Sequence, residues 1–400
     1  MREETQVTVV DALMGAGKTR WIIDYINHNS AENFIYITPF ITETERIKNA
    51  VVRDVKLPEV RDASGKLGNI LTLLKNEDDI AATHKLFTMF TEEHKDAIWQ
   101  GEYTLVIDEC LDAVAPFEMA RRDDIQFLLD KGSIKFEADG SIQWIDKDYD
   151  CSYNHIKILA ESHALFRVNN QILLWQYPAD IFKLFRNVYV LTYNFGGSTM
   201  RYYFDLNGIK YKMKSIEKTN GEYKLTDYFE PSKEKLREKI HIYEGKDLNE
   251  LFDQKKSALS STWFKNNGNK RKITLLKNGV YNYFRNKSHA KSDDIMWTVF
   301  KSKYYALRGK GYSNSFVSLG CRATNNYSDR HYLAYLANTD PHAGVSQFFA
   351  QRGHPLDQEQ YALCEMIQWI FRGAIRNDED IYVYVPSRRM RGLLEEWLND

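Results

Sequence analysis

The feature that most constrains this chain stands at its beginning. Gln6-Val-Thr-Val-Val10 alternates β-branched residues as a strand does, Asp11-Ala-Leu-Met-Gly-Ala-Gly-Lys-Thr19 follows, and Arg20-Trp-Ile-Ile-Asp-Tyr-Ile26 then carries a helical apolar pattern. Strand, glycine loop and helix in that order bring loop N–H groups and a helix N-terminus to one point, a positive pocket suited to phosphate. Lys18 is placed to reach the β- and γ-phosphates of a nucleotide and Thr19 to hold Mg²⁺ through its hydroxyl. Gly15, Ala16, Gly17 and Arg20 complete the expected cradle. ATP and Mg²⁺ are the cofactors this pattern predicts.

A second apolar run, Tyr103-Thr-Leu-Val-Ile107, ends in Asp108-Glu109. Carboxylates at the C-terminal end of a strand lie where open α/β sheets bind ligands. Phosphoryl transfer needs positioning and charge neutralisation more than covalent chemistry, so two adjacent acids suffice: Asp108 to complete the Mg²⁺ shell, Glu109 to orient and deprotonate the attacking water.

Composition supports a folded, soluble chain. Its 400 residues allow two ordinary domains, and Tyr 25 and Phe 21 against Pro 8 are the opposite of a disordered composition. Net charge is −1, so any nucleic-acid site must be local rather than a property of the whole surface. Cys110, Cys151, Cys321 and Cys364 form no C-x-x-C pair, which argues against a zinc site or disulfide framework and fits reducing cytoplasm. The polar start MREETQ is unlike a signal peptide, and no apolar run is long enough to span a bilayer.

Ala12-Leu-Met-Gly15-Ala-Gly17-Lys18-Thr19 has alanine where the general phosphate loop has glycine, and reads A-x-x-G-x-G-K-T. That spelling, with Asp108-Glu109-Cys110-Leu111 after it, resembles superfamily two helicases of the Asp-Glu-box (DEAD/DEAH-like) type. Seven segments in that family's order run from Val9 to Arg376. Thr38-Pro39-Phe40 and Thr83-His84 resemble the segments that grip the sugar-phosphate backbone, and Leu191-Thr192-Tyr193-Asn194 stands where the Ser-Ala-Thr coupling motif does, keeping only the threonine. Arg322-Ala-Thr324-Asn325 resembles the fifth motif of phage-type members. Gln368-Trp-Ile-Phe-Arg372-Gly-Ala-Ile-Arg376 resembles the arginine-finger motif, with its arginines four apart, expected on one helix face, instead of three.

What the resemblance implies is an α/β protein of two RecA-like P-loop domains, each a mostly parallel sheet flanked by helices, with the ATP site in the cleft between them. The expected limits are residues 1–205 for the first, with an insert at about 115–178, a connection over 206–256, and 257–400 for the second. The implied activity is an ATP-dependent helicase or translocase in phage-type replication or recombination, working in the host cytoplasm. Its implied partner is nucleic acid, single-stranded or forked DNA before RNA, with a replication or recombination protein beside it.

Two features stay open. The insert carries a hairpin pattern, Ile134 to Trp144 around Asp139-Gly140, that reads equally as a duplex wedge or a docking surface. The stretch from Trp263 to Lys310 interleaves aromatics (Tyr281, Phe284, Trp297, Tyr304) with bases (Lys272, Arg285, Lys287, Lys291, Lys303, Arg308), either for base stacking or for core packing. An ATP-gated nucleic-acid clamp that does not unwind is the alternative function.

Overall fold

The computed structural model describes residues 4–118, 122–146, 153–168, 172–251, 255–320 and 326–400. The chain divides into two compact units: Met1–Asp11, Lys18–Tyr228 and Pro341–Leu356 form the first, and Phe229–Asp340 and Asp357–Asp400 form the second, with which the loop Ala12–Gly17 groups. Both are α/β units built on mostly parallel sheets.

The strands of the first unit are β1 (Gln6–Asp11), β2 (Phe34–Thr38), β3 (Ile80–Thr83), β4 (Thr104–Asp108), β5 (Val114–Pro116), β6 (Ile134–Phe136), β7 (Ile142–Trp144), β8 (Leu165–Val168), β9 (Ile172–Gln176), β10 (Asn187–Thr192), β11 (Lys212–Thr219) and β12 (Glu222–Asp227). Seven of them form one sheet in the order β12-β11-β1-β10-β4-β2-β3, parallel except at β12. β2 and β4 are buried along their whole length. That explains why they read as unbroken apolar runs: a parallel sheet with helices on both faces has no polar side to alternate with.

β11 and β12 are joined at Asn220-Gly221, whose φ values of 54° and 88° match a tight hairpin turn. The hairpin extends the first sheet, so the segment expected as a connection over 206–256 divides at Tyr228. Its later part, helix Glu234–Lys239 and strand β13 (Ile240–Ile242), belongs to the second unit.

The insert folds around its own core of Ile125, Leu128, Ile134, Ile142, Trp144, Ile156 and Leu165. β5, β9 and β8 make a small antiparallel sheet and β6 pairs with β7 in the expected hairpin. At its tip Gly140 has φ +83°, and a Cβ there would lie 2.7 Å from the carbonyl oxygen of Arg167, so the close approach requires glycine.

Helix Ala343–Gln351, late in the sequence, packs into the first unit. Val345, Phe348 and Phe349 join its core, with Phe348 edge-on to Phe166 at 5.3 Å.

The second unit contains β13, β14 (Ile295–Thr298), β15 (Tyr332–Tyr335) and β16 (Ile381–Tyr384), all parallel, in the order β13-β16-β15-β14. Phe284 and Trp297 are wholly buried in its core with Tyr283, Tyr312 and Tyr384. Tyr304 stacks on Trp297. Core packing, not base stacking, therefore accounts for these aromatics. No helix among the described residues is long and apolar enough to cross a membrane.

Candidate nucleotide site

The register of the first sheet brings the candidate residues to one edge. Asp11 pairs with Thr192 across β1 and β10, Leu191 with Asp108 across β10 and β4, Ile37 with Ile107 across β2 and β4, and Thr38 with Thr83 across β2 and β3. Asp11, Thr192, Asp108, Thr38 and Thr83 thus stand at the C-terminal ends of five adjacent parallel strands. That is the edge where open α/β sheets bind ligands.

The glycine loop leaves this edge from β1. Gly15 and Gly17 have φ of +84° and +99°, a region closed to most side chains, and the Ala16 N–H donates to the Leu13 carbonyl at 3.1 Å. Helix Lys18–His28 starts immediately after, so Lys18 and Thr19 occupy its first turn. Trp21, Ile22, Ile23 and Ile26 bury its inner face and fix its direction. Arg20 is exposed and faces Asp24 at 3.6 Å.

Asp11 ties the start of this loop to the neighbouring strand end. Its carboxylate is 4% exposed; Oδ1 accepts the Asn194 N–H and Oδ2 the Phe195 N–H, each at 2.8 Å. Asn194 holds a left-handed φ of 56°. Thr192, at the end of β10, accepts from the Cys110 thiol at 3.3 Å.

Asp108 is buried at the end of β4, and Oδ2 accepts a 2.7 Å hydrogen bond from the Tyr36 hydroxyl of β2. Burial, then the charge of Glu109, push its carboxyl up to about 6, against the opposing pull of the Tyr36 hydrogen bond and Arg46. Burial likewise raises the Tyr36 phenol far above its ordinary range, so it stays a donor. Arg46 is itself paired with Glu43 at 2.6 Å. Glu109 turns away from the strand through a φ of 68° while its N–H donates to the Leu191 carbonyl at 2.9 Å.

A desolvated carboxylate beside a second one is a site that gains from a cation. Among the described residues no group of three or more His, Cys, Asp or Glu could hold a metal alone. One carboxylate and a threonine hydroxyl suit Mg²⁺, which takes its other ligands from phosphates and water. The residues present fit the expected group. Sequence reasoning misses Tyr36 as the partner of the candidate Asp108, because a tyrosine inside an apolar strand has no signature of its own.

The other candidates are placed less uniformly. Thr38 is fully buried and its hydroxyl has no hydrogen-bond partner among the described residues, while Pro39 and Phe40 after it are partly exposed. Thr83 caps helix His84–Phe87, accepting from the Leu86 N–H at 3.3 Å. Arg322, Thr324 and Asn325 lie outside the described residues.

In the second unit Gln368 lies on helix Gln358–Ile370 and donates to the Cys364 sulfur at 3.3 Å. That helix ends before the arginines, contrary to the expectation of one shared helix face. Arg372 is 5% exposed, and Arg376 is exposed on the short 3-10 turn Ala374–Asn377. Gly373 between them runs against the Arg330 carbonyl, where a Cβ would sit at 2.9 Å, and Ala374 N–H donates to the same oxygen at 2.9 Å. This tie to the entry of β15 stops the helix.

Comparison with known proteins bears on the whole chain. It is 39% identical over 414 residues to the SPbeta prophage-derived uncharacterized protein YonV of Bacillus subtilis (strain 168), covering 99% of each. The chain belongs to the YonV family. Residues 117–175 match the YonV middle domain, which falls in the insert, and 234–398 match the YonV C-terminal Rossmann-like domain, a range that spans the second unit's sheet and also helix Ala343–Gln351 of the first unit. Two solved structures share the fold of this YonV-family chain at 12% identity and a TM-score of 0.51: an apo XPD (98% of this chain, 95% of that one) and S. tokodaii Xpd4 (98% and 94%). What these two structures share with the chain is its fold, two α/β units on mostly parallel sheets.

Proposed function

We propose that this YonV-family protein is an ATP-driven nucleic-acid translocase that unwinds duplex, acting with Mg²⁺ on single-stranded or forked DNA in phage-type replication or recombination. The observation that carries it is the single sheet edge. Glycine loop, Asp108-Glu109, Thr192, Thr38 and Thr83 are drawn from distant parts of the chain and converge there through strand register.

In this reading the N–H groups of Gly15 to Thr19 and the Lys18 ammonium hold the nucleotide phosphates. Mg²⁺, when bound, neutralises charge on the transferring phosphoryl. Thr19 and Asp108 hold it, and Tyr36 orients the Asp108 carboxylate. Glu109 accepts the proton of the attacking water. Asp11, gripping the Asn194 and Phe195 amides, links the loop's position to that of Thr192 and Asn194. Gln368, Arg372 and Arg376 are the arginine-finger-motif candidates of the second unit, and Pro39, Phe40, His84 and the 322–325 segment are the candidates for contact with the strand.

The alternative is an ATP-gated clamp that grips nucleic acid without opening it. A strand-displacement assay on a forked DNA separates the two: the translocase releases the displaced strand only with hydrolysable ATP. The clamp binds the fork in an ATP-dependent way and releases nothing.

A further inference from the structure

Within a chain of net charge −1, residues 255 to 310 carry fourteen lysines and arginines against two acids, Asp293 and Asp294. Such a surplus reads first as a solvated face. One segment adds a second feature. Lys301, Arg308 and Lys310 are exposed and Lys303 is partly so, and none of the four pairs with a carboxylate among the described residues. Between them Tyr305 is 73% exposed, with the Arg308 guanidinium 4.9 Å from its ring centre.

Tyr305 is not a loose surface residue. The single turn Tyr304–Leu307 that carries it is pinned on both sides. Tyr304 stacks on the buried Trp297 at 5.9 Å with planes 16° apart, and its hydroxyl donates to the Ser313 carbonyl at 3.3 Å; Leu307 is fully buried. Tyr312 donates to the Leu307 carbonyl at 2.7 Å and closes the turn. An aromatic ring is therefore held out in water on a rigid base, with cations around it and none neutralised. Burying that ring alone would satisfy an apolar partner, and the cations alone any polyanion. A single nucleic-acid strand matches both, because each base offers a π-face and each linkage a phosphate.

We infer that Lys301–Lys310 is a single-strand binding patch in which Tyr305 is the stacking platform for a base and Lys301, Lys303, Arg308 and Lys310 hold the flanking phosphates. This rests on the nucleic-acid reading above and narrows the Trp263–Lys310 stretch to one segment whose ring is Tyr305, a residue the sequence reading did not single out.

The test is fluorescence anisotropy of labelled oligo(dT) and oligo(rU), about 20 nucleotides long so as to exceed common site sizes, titrated with the full chain over a range of salt. Tyr305→Ala should weaken binding on the order of tenfold with its salt dependence unchanged, and Tyr305→Trp should restore it. Arg308→Gln with Lys310→Gln should weaken binding and reduce the log–log salt slope by about 0.7 for each phosphate that is no longer neutralised. Circular dichroism melts confirm that the variants stay folded. A wild-type chain that binds tightly while all variants match it in affinity and slope overturns the patch and leaves the nucleic-acid reading standing. A folded wild-type chain that binds neither polymer overturns that reading itself. Poly-glutamate bound as tightly as oligo(dT), with Tyr305→Ala silent, makes the surface a general polyanion or protein contact and also overturns the assignment.

Discussion

The Tyr36 hydroxyl donates a 2.7 Å hydrogen bond to Oδ2 of Asp108 across neighbouring parallel strands, both side chains being buried. The bond fixes which oxygen of Asp108 is left for a cation. Outer partners of this kind usually matter to metal affinity by about 10- to 100-fold. Tyr36→Phe is expected to raise the Mg²⁺ concentration needed for half-maximal nucleotide binding by that order. Binding of a fluorescent nucleotide without Mg²⁺ should be unchanged; equal loss with and without the metal would mean the phenol only supports packing.

Asp11 accepts two backbone N–H groups at 2.8 Å from a buried position. Asp11→Ala removes this partner from both donors, at a cost of about 1–3 kcal/mol for the buried Phe195 N–H and less for the half-buried Asn194 N–H. Urea unfolding should show this loss, with Asp11→Asn intermediate because one carbonyl oxygen remains to accept. Wild-type stability in Asp11→Ala would mean that water replaces the carboxylate.

Phe348 is wholly buried against Phe166 in the first unit, although its helix lies between β15 and the second unit's helix Gln358–Ile370 in sequence. Phe348→Ala should cost about 3–5 kcal/mol. Hydrogen exchange should accelerate in the first unit and its insert, including β8 and β9, rather than in β14–β16. Acceleration confined to the second unit's sheet would contradict the packing.

Protonated His331 donates from Nδ1 to Asp294 at 2.7 Å and from Nε2 to Glu379 at 2.8 Å, joining the approaches to β14, β15 and β16. Burial works to lower its pKa, but the two carboxylates outweigh it and the net shift is upward from 6.5. A raised histidine stabilises fully below the unfolded value and loses that contribution as pH rises through the folded one. Stability of the second unit should therefore fall on raising the pH above about 6.5, and His331→Gln should flatten that dependence. A dependence of the same size in His331→Gln would assign it to other groups.

Much of the candidate site is legible because the residues that phosphate chemistry asks for have a local spelling: Gly15-Ala-Gly17-Lys18-Thr19 between a strand and a helix, and Asp108-Glu109 at a strand end. The two α/β units and the insert's hairpin at Asp139-Gly140 follow from the same kind of local pattern. What escapes depends on tertiary packing. Nothing in Ala343–Gln351 announces that it returns to the first unit, since any apolar helix face needs a core and the sequence does not say which. Lys212–Asp227 looks like a polar connection because an edge hairpin keeps much of its surface in water. The helix bearing Gln368 ends at Ile370 because Gly373 meets Arg330, 43 residues earlier in the chain by numbering (373 − 330). Tyr305 is indistinguishable from Tyr304 in the sequence, because one of two adjacent tyrosines packs and the other is exposed only once the turn is formed.

The most direct measurement is steady-state ATP hydrolysis with and without single-stranded DNA or RNA, for the wild-type chain, Lys18→Ala and Arg376→Ala. The account predicts Mg²⁺-dependent hydrolysis stimulated by one of the polymers and lost in both variants, with Lys18→Ala also losing nucleotide binding. Hydrolysis indifferent to any polymer, or undiminished in Lys18→Ala, would contradict it.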